Sequence, residues 1–352
     1  MHKISEILQK WFIQNKRDLP WRATNDPYKI WISETILQQT RVVQGLNYYL
    51  RFVERFPDVK VLAEADEKEI LLLWQGLGYY SRARNLHFAA NQIVMWFHGK
   101  FPTDYNDILK LKGVGEYTAA AVCSIAYNQN VAVLDGNVYR VLARLFNEKT
   151  PIDSSEGKKL FSALAAELLD KNNASIHNQA MMEFGALQCV PQSPDCKNCV
   201  LQGKCLAFTR KNVENLPFKS KKTKISERFF NYLIVRCSDE ILLNKRGTSD
   251  IWAGLYDFPM LESNHLLNKE ELLENQHFVD YFPKNITTKI LSQSVVYKHV
   301  LTHRRIFAQF FEITVSTFSP TLNKQFIKTK ATEIHHFPLP RLIDRYLEDS
   351  AD

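Results

Sequence analysis

Apolar residues recur at three- and four-residue spacing through residues 1–216, which is the pattern of helices that bury one face. Short breaks containing Gly or Pro separate these stretches, and no alternating β-type pattern of any length interrupts them. We therefore predict that this region is all-α. The predicted helices include the segment 1–12, Leu62–Trp74, Leu86–Phe97, Tyr117–Ala126, Val138–Phe146 and Gly157–Leu169.

The pattern changes after Pro217. Residues 219–224 are short, basic and without apolar side chains, so we predict a linker over 217–227 that also contacts phosphate. Beyond the linker lie strand-like runs rich in aromatic and β-branched residues. These runs are Phe229–Val235, Ile241–Leu243 and Ile306–Val315. We therefore predict a small α+β domain over 228–352, which makes the protein multidomain.

Composition narrows the class of protein. A chain of 352 residues that is 45% hydrophobic can bury two separate cores. No apolar run reaches the roughly 18 residues of a membrane span, and the N-terminal segment lacks the layout of a signal peptide. We therefore expect no membrane partner and a cytoplasmic, bacterial-type location, where cysteines are thiols or metal ligands. The net charge of +7 suits a polyanionic partner, although by charge alone an ordinary basic protein is the commoner case.

The segment from Leu111 to Gly115 has the features of a phosphate-binding loop between two helices. Its glycines allow tight or left-handed backbone conformations that come close to a ligand. The next helix is predicted to begin at about Glu116, so its free N–H groups and positive dipole end would face that ligand. The candidate phosphate contacts are Gly113, Val114 and Gly115. An ordinary glycine-containing turn between helices has the same pattern.

Two carboxylates are candidate catalytic groups. Glu34 lies in a predicted helix with Gln38 and Arg41 on the same face, and the ordinary alternative is a surface glutamate paired with Arg41. Asp135 precedes the helix Val138–Phe146, where it also serves as an N-cap and where the helix dipole keeps a carboxylate ionised. One protonated acid and one stable anion are a general solution for cleaving a bond to an anomeric carbon.

Four of the six cysteines follow the spacing C-x6-C-x2-C-x5-C. Four thiolates clustered in one loop indicate a metal site. By generic spacing alone, zinc is the default metal. The candidate metal ligands are Cys189, Cys196, Cys199 and Cys205.

Three motifs together resemble the helix–hairpin–helix glycosylase superfamily, which includes endonuclease III and MutY. They are LKGVGEYTA at 111–119, DGNV at 135–138 and the four-cysteine spacing. In that superfamily the cysteines hold a [4Fe–4S] cluster, so the resemblance implies this cluster in place of zinc. The cluster there is structural or redox-linked and is not the catalyst.

Within the superfamily, the sequence resembles the MutY family. WISETILQQTRV at 31–42 is similar to the MutY catalytic helix and implies that Glu34 is the general acid. Tyr117 occupies the position at which the endonuclease III branch has its Schiff-base lysine. WAGLYDFP at 252–259 is similar to the Nudix-like C-terminal domain of MutY, and no Nudix box with clustered glutamates accompanies it.

The resemblance implies a monofunctional, monomeric DNA repair glycosylase. Its partner would be double-stranded DNA with 8-oxoguanine:A or G:A mispairs, from which it would hydrolyse the adenine N-glycosidic bond. The adenosine is flipped into a pocket, and Glu34 protonates adenine N7. Asp135 stabilises the oxocarbenium ion, and Tyr117 contacts Glu34 or the reacting sugar.

Further substrate-binding residues follow from the same resemblance. Those expected to line the adenine pocket are Trp21, Arg22 and Glu183. Those expected to fill the gap in the duplex and to wedge beside 8-oxoguanine are Gln39, Leu77 and Tyr79. MutY proteins usually contact the lesion with a Phe-Ser-His loop, and here the sequence is Leu301-Thr302-His303. Thr302 and His303 retain the hydrogen-bonding groups, whereas leucine in place of phenylalanine changes the shape of the loop.

Two other functions stay open at this point. An endonuclease III-like glycosylase with lyase activity on oxidised pyrimidines would share the fold and the cysteines. A non-enzymatic iron–sulfur protein that binds DNA and senses redox state would lack one of the two carboxylates, whereas Glu34 and Asp135 both stand in their full motifs.

Overall fold

The computed structural model describes residues 2–220 and 225–350. They form two compact units. The first consists of Met1–Glu64 and Asn85–Lys222, and the second consists of Ala65–Arg84 and Thr223–Asp352. Residues 221–224 of the predicted linker lie outside the described residues, and the linker stays a prediction. The segment Ala65–Arg84 groups with the C-terminal part of the chain, which the sequence pattern did not indicate.

Residues 2–220 contain helices and no strand, which confirms the all-α prediction for this region. The helices are α1 (His2–Asn15), α2 (Pro27–Leu37), α3 (Val42–Arg55), α4 (Val59–Glu64), α5 (Glu67–Leu73), α6 (Ser81–Phe97), α7 (Tyr105–Leu109), α8 (Glu116–Tyr127), α9 (Gly136–Leu145), α10 (Ser155–Leu168), α11 (Ala174–Leu187) and α12 (Leu206–Thr209). Several begin at polar N-caps whose side chains accept a backbone hydrogen bond, namely Asp26, Asp104, Asp135 and Ser154. In the first unit, the apolar faces of α1, α9, α10 and α11 meet in one core.

Two local predictions in this region are wrong. The helix predicted over Leu62–Trp74 is interrupted between α4 and α5, because Asp66 accepts a backbone hydrogen bond and begins a new helix. The second error concerns α2, which ends at Leu37, while Arg41 immediately precedes α3. Arg41 therefore does not share a helix face with Glu34.

The second unit is built on a mixed sheet, as the predicted α+β domain requires. The strands are β1 (Ser226–Cys237), β2 (Glu240–Lys245), β3 (Tyr256–Asp257), β4 (Met260–Ser263), β5 (Thr288–Gln293), β6 (Tyr297–Val300), β7 (Arg304–Val315) and β8 (Ile327–Lys330). Their order is β3-β2-β1-β7-β5, with β4 beside β1, β6 beside β7 and β8 beside β2. The long strands β1 and β7 run parallel, and the three predicted strand runs lie within β1, β2 and β7.

Helices cover both faces of this sheet. They are α13 (Lys269–Glu274), α14 (Gln276–Tyr281), α15 (Pro320–Gln325) and α16 (Arg341–Asp349). Alternate residues of β1 point to opposite faces. Tyr232 and Ile234 pack in a core with α16, whereas Leu233 and Val235 pack in another with α13, α14 and α15. Every helix of the described residues is too short or too polar to cross a lipid bilayer.

Candidate active site

Glu34 lies at the centre of a helix that has no solvent-exposed face. Every residue of α2 from Ile30 to Ile36 is buried. A carboxyl group in such surroundings needs a hydrogen-bond partner or a proton. The hydroxyl of Tyr117 on α8 donates to Glu34 Oε2, and the same hydroxyl lies 3.8 Å from Met182 Sδ.

The environment of Glu34 favours its protonated form. Burial raises the pKa of Glu34 from 4.5 to about 7. The hydrogen bond from Tyr117 and the charge of Arg22 oppose this rise, whereas the negative charge of Asp135 adds to it. Near neutral pH the carboxyl group therefore carries a proton in a substantial fraction of molecules, which is what a general acid requires.

Asp135 is the N-cap of α9. Its Oδ1 accepts a hydrogen bond from the Val138 N–H at 2.7 Å, and its Oδ2 accepts one from the Asn137 amide at 2.7 Å. Burial nevertheless raises the pKa of Asp135 above its ordinary value, because these hydrogen bonds and the charge of Arg140 offset only part of the desolvation. The sequence predicts that the helix terminus keeps Asp135 ionised. The structure shows that desolvation acts against this effect.

A cavity of about 540 Å³ brings distant parts of the sequence together in the first unit. The predicted site residues that line it are Trp21, Arg22, Glu34, Tyr117, Asp135 and Glu183. Small-molecule pockets typically measure about 300–1,000 Å³, so this cavity has room for one nucleoside. The spacing of these residues in the sequence does not predict that they lie together.

Two arginines hold the carboxylate of Glu183. Arg22 donates to both of its oxygens at 2.8 Å, and Arg17 donates to the same oxygens at 2.9 Å and 2.5 Å. Burial alone would raise the pKa of Glu183, but these hydrogen bonds lower it to about 2. Glu183 therefore fixes both guanidinium groups at the cavity wall. Sequence reasoning missed Arg17, whose pairing depends on tertiary structure.

Sequence reasoning also missed four polar or soft side chains of the cavity wall, which are Asn137, Arg140, Gln179 and Met182. Gln179 offers both a hydrogen-bond donor and an acceptor. Arg140 donates to Asn137 Oδ1 at 2.9 Å and to the Cys189 carbonyl at 2.7 Å. A chain of hydrogen bonds thus runs from Asp135 through Asn137 and Arg140 to the backbone of the cysteine loop. The only signal for Arg140 in the sequence is its place one turn into the helix that Asp135 caps.

A second cavity of about 520 Å³ adjoins the first and shares Tyr117 and Asp135 with it. Gln39 lines this second cavity on the turn after α2, where it is exposed and has a φ of +57°. This left-handed conformation is unfavourable for a residue with a side chain. The neighbouring Gln38 ties the turn to α8 by donating to Thr118 Oγ1 at 3.2 Å.

The glycine loop reaches the second cavity through Gly113 and Gly115. Gly113 has a φ of +77°, and a Cβ atom there would lie only 2.6 Å from Asn85, so only glycine suits this position. Gly115 is the N-cap of α8 and, as a glycine, has no side chain with which to cap the helix. Val114 is buried, and its N–H donates to the Leu111 carbonyl at 3.1 Å. Of the three predicted phosphate contacts, the two glycines face the cavity.

Two of the predicted wedge residues, Leu77 and Tyr79, lie in the second unit with the predicted lesion-contacting residues Thr302 and His303. The hydroxyls of Tyr79 and Thr302 share a hydrogen bond of 2.7 Å. Both residues are exposed, whereas Leu77 is buried. His303 is exposed in the turn between β6 and β7, and its carbonyl accepts a hydrogen bond from the Ser226 N–H at 3.1 Å.

The four cysteines of the spacing pattern line one cavity together with Arg144. Each of them is half-buried and has a free thiol. Among the described residues, no three His, Cys, Asp or Glu side chains lie within reach of a single metal ion. The cysteines therefore surround a common space without meeting at one point.

Arg144 organises this cysteine loop and was missed in the sequence. Its side chain is almost fully buried. The guanidinium donates to the carbonyls of Val190 at 2.7 Å, Pro191 at 2.8 Å and Val213 at 3.0 Å, and to Cys189 Sγ at 3.4 Å. One buried cation thus joins the beginning of the loop to its end.

Comparison with family models identifies both parts of the chain. Residues 32–167 match the HhH-GPD superfamily of base excision DNA repair proteins, and residues 231–349 match the NUDIX domain. The first range includes Glu34, Tyr117 and Asp135, and the second includes all of the sheet except the first residues of β1.

Curated relatives match nearly the whole chain. The adenine DNA glycosylase of Buchnera aphidicola subsp. Schizaphis graminum is 30% identical over 99% of both chains. The adenine DNA glycosylase of Rattus norvegicus is 32% identical over 89% of this chain and 70% of its own length. A solved thermostable thymine-DNA glycosylase is 28% identical, with a TM-score of 0.55, over 59% of this chain and 95% of its own. The chain is a DNA glycosylase and belongs to the MutY family of adenine DNA glycosylases.

Proposed function

We propose that the protein hydrolyses the N-glycosidic bond of adenine mispaired with 8-oxoguanine or guanine in double-stranded DNA. One observation carries this proposal. Glu34 is buried, its pKa is raised to about 7, and it shares one cavity with Tyr117 and Asp135. The names of the relatives, which are adenine DNA glycosylases, support adenine as the base that is removed.

The cavity suits a base that has left the duplex. An enzyme that acts on a base within DNA must rotate the nucleotide out of the stack into a pocket. Trp21 offers an aromatic face at the cavity wall, and Gln179 offers a donor and an acceptor for the edge of the base. Glu183 holds the guanidinium of Arg22 in place, so this group forms a fixed part of the cavity wall.

Glu34 supplies the proton that adenine needs as a leaving group. Its protonated carboxyl group donates to N7 of the base, which lowers the cost of breaking the bond between C1′ and N9. The base then leaves with the bonding electron pair, and Glu34 becomes a carboxylate. That carboxylate next accepts a proton from the water that attacks C1′, so the acid is regenerated for the next turnover.

Asp135 stabilises the positive charge on the sugar. Breaking the bond leaves an oxocarbenium-like sugar, for which a nearby carboxylate is the matching countercharge. Asp135 accepts hydrogen bonds from Val138 and Asn137, and both bonds favour its anion. Glu34 accepts one such bond, from Tyr117, among the hydrogen bonds named for this site. The two bonds to Asp135 offset part of the desolvation that raises the pKa of Asp135, so we assign the role of anion to Asp135 and that of proton donor to Glu34.

Tyr117 supports hydrolysis without strand cleavage. Its hydroxyl contacts Glu34, and a phenol, which has no amine, cannot form a Schiff base with the sugar. An endonuclease III-like lyase would use an amine at this place, and borohydride would then trap it on DNA. We expect little or no trapping by this protein, and efficient trapping would favour the lyase.

DNA outside the cavity would be held by exposed backbone and side chains. Gly113 and Gly115 present the N-terminus of α8 at the adjoining cavity, which suits a DNA phosphate. Gln39 of the first unit is exposed and available to DNA, and Tyr79, Thr302 and His303 of the second unit are exposed as well. We propose that the protein acts as a monomer, and that it works in the cytoplasm of a bacterial-type cell, where DNA is found.

We propose that Cys189, Cys196, Cys199 and Cys205 hold a [4Fe–4S] cluster. The observation that fits this group is one space lined by four half-buried thiols, with the guanidinium of Arg144 beside it. Cysteine thiolates are the usual ligands of such clusters. A bound cluster would supply a structural cross-link or an electron-transfer centre. Arg144 would offset part of its negative charge.

Adenine release under single-turnover conditions tests the proposed function. The substrates are three duplexes with adenine opposite 8-oxoguanine, guanine or thymine. We expect release from the first two and none from the third, with strand breaks only after alkali. Absence of release from all three, or equal release from the thymine duplex, would contradict the proposal.

A further inference from the structure

The loop between α5 and α6, residues 76–80, contains three residues in the left-handed conformation. We call it the wedge loop, because it contains Tyr79. Gly76 and Gly78 have φ values of +87° and +76°, and Tyr79 has a φ of +49°. The left-handed conformation is tolerated by glycine but unfavourable for tyrosine, so surrounding contacts must maintain it. One of these contacts lies within the loop, where the Gly76 N–H donates to the Tyr80 hydroxyl at 3.3 Å, and others lie outside it.

Gln75, at the base of the wedge loop, makes two such contacts with the C-terminal segment. Its Nε2 donates to Asp344 Oδ1 at 2.8 Å, and its Oε1 accepts from the Leu339 N–H at 3.1 Å. Both ends of one amide are therefore used, which fixes the orientation of the side chain. Tyr80 adds a contact at the other end of the loop, where its hydroxyl donates to the Leu339 carbonyl at 3.4 Å.

The tip of the wedge loop is held by a second set of contacts. The guanidinium of Arg82 lies over the rings of Trp74, at 5.4 Å, and Tyr79, at 5.5 Å, and it donates to the Gly78 carbonyl at 3.1 Å. The hydroxyl of Tyr79 then meets Thr302 at 2.7 Å. Tyr79 thus lies beside Thr302 on a loop that is held at its base by Gln75 and near its tip by Arg82.

We propose that Gln75 is a specificity-determining positioning residue, which sets Tyr79 against Thr302 and thereby strengthens the preference for 8-oxoguanine over guanine opposite adenine. This inference rests on the proposed function. Gln75 lies in the second unit, whereas Glu34, Tyr117 and Asp135 lie in the first, so its loss changes the choice of opposite base and not the chemistry on adenine. Burial raises the pKa of Asp344 to about 6, so at pH 7.5 its carboxylate is the acceptor that Gln75 meets.

The test compares single-turnover adenine release from the 8-oxoguanine:A and G:A duplexes at pH 7.5. The variants are Gln75→Ala, which removes both hydrogen bonds, and Asp344→Ala, which removes one of them. The matched control is Gln276→Ala, because Gln276 is an exposed glutamine of the same unit whose amide bonds only to Asp280 within α14 among the contacts described. Thermal unfolding of each variant accompanies the rates.

We expect Gln75→Ala to lower the ratio of the two rates by roughly fivefold to tenfold, as the loss of one or two hydrogen bonds would. Asp344→Ala should lower it by less, the double variant should resemble Gln75→Ala, and Gln276→Ala should leave it unchanged. If Gln75→Ala does not fold, the ratio for Asp344→Ala decides the outcome. If Gln75→Ala folds and its ratio lies within twofold of that of the unaltered protein, this inference alone is overturned. If the unaltered protein releases no adenine, the proposed function is overturned with it.

Discussion

The catalytic cavity and the wedge and lesion loops are built in opposite ways. In the cavity, Glu34 is buried and Asp135 is half-buried, and desolvation raises the pKa of both carboxyl groups. In the second unit, Tyr79 and Thr302 are exposed and are joined by a single hydrogen bond. Chemistry on adenine therefore depends on an environment that the folded protein supplies by itself. Under the proposed function, recognition of the opposite base would depend on side chains that are exposed in the protein without DNA.

The largest effect is expected from a substitution in the catalytic cavity. Glu34→Gln keeps the size of the side chain but removes the proton donor, so adenine release should fall by roughly 10²–10⁴-fold. Affinity for an uncleaved 8-oxoguanine:A duplex should stay within about threefold, since the exposed DNA contacts are intact. Single-turnover release and gel-shift titration measure the two quantities. Retained release would remove Glu34 from the proposed mechanism.

Arg144→Met should produce the next largest effect, on stability. The change removes the donor to several part-buried carbonyls of the cysteine loop, at a cost of up to roughly 1–3 kcal/mol for each group left unsatisfied. We expect a loss of roughly 3 kcal/mol or more in the free energy of unfolding by urea. The control is Arg210→Met, because Arg210 is exposed. Equal stability of the two variants would show that Arg144 does not organise the loop.

Tyr117→Phe should shift the pH dependence more than it lowers the maximal rate. The hydroxyl stabilises the Glu34 carboxylate and so lowers the pKa of Glu34. Its removal should raise that pKa further, by roughly one unit for a hydrogen bond to a charged group. The alkaline limb of the rate profile should move to higher pH. A shift to lower pH would contradict the assigned direction of this hydrogen bond.

The smallest effect is expected from a substitution in the wedge and lesion loops of the second unit. Thr302→Ala removes the hydroxyl that meets Tyr79, and it should lower the rate on the 8-oxoguanine:A duplex by about fivefold or less while leaving the G:A rate unchanged. Thr302→Ser, which keeps the hydroxyl, is the matched control. An equal fall in rate on both duplexes would mean that Thr302 acts on the chemistry or on folding, which would contradict its assignment to the opposite base.

Local features of the site were open to prediction from the sequence. Periodicity indicated α8 and α9, and the residue type and place of Asp135 indicated an N-cap. The glycine at position 113 has the positive φ that a tight loop requires. These features depend on a few neighbouring residues, so a single sequence contains them.

Features that depend on tertiary structure could not be predicted. The pairing of Glu183 with Arg17 joins opposite ends of the first unit's sequence, and no local pattern marks it. The rise in the pKa of Asp135 comes from burial, which the N-cap pattern does not express. The grouping of Ala65–Arg84 with the C-terminal residues follows from side chains such as Gln75, whose partners lie far along the chain.

The central claim is that the folded protein keeps Glu34 protonated in a substantial fraction of molecules near neutral pH. The pH profile of single-turnover adenine release from the 8-oxoguanine:A duplex tests it most directly. Because the pKa of Glu34 is raised to about 7, the fraction of protonated acid falls as the pH rises through that value. We predict a rate that falls about tenfold for each pH unit above pH 7.5. A rate that stays constant from pH 6 to pH 9 would contradict the claim.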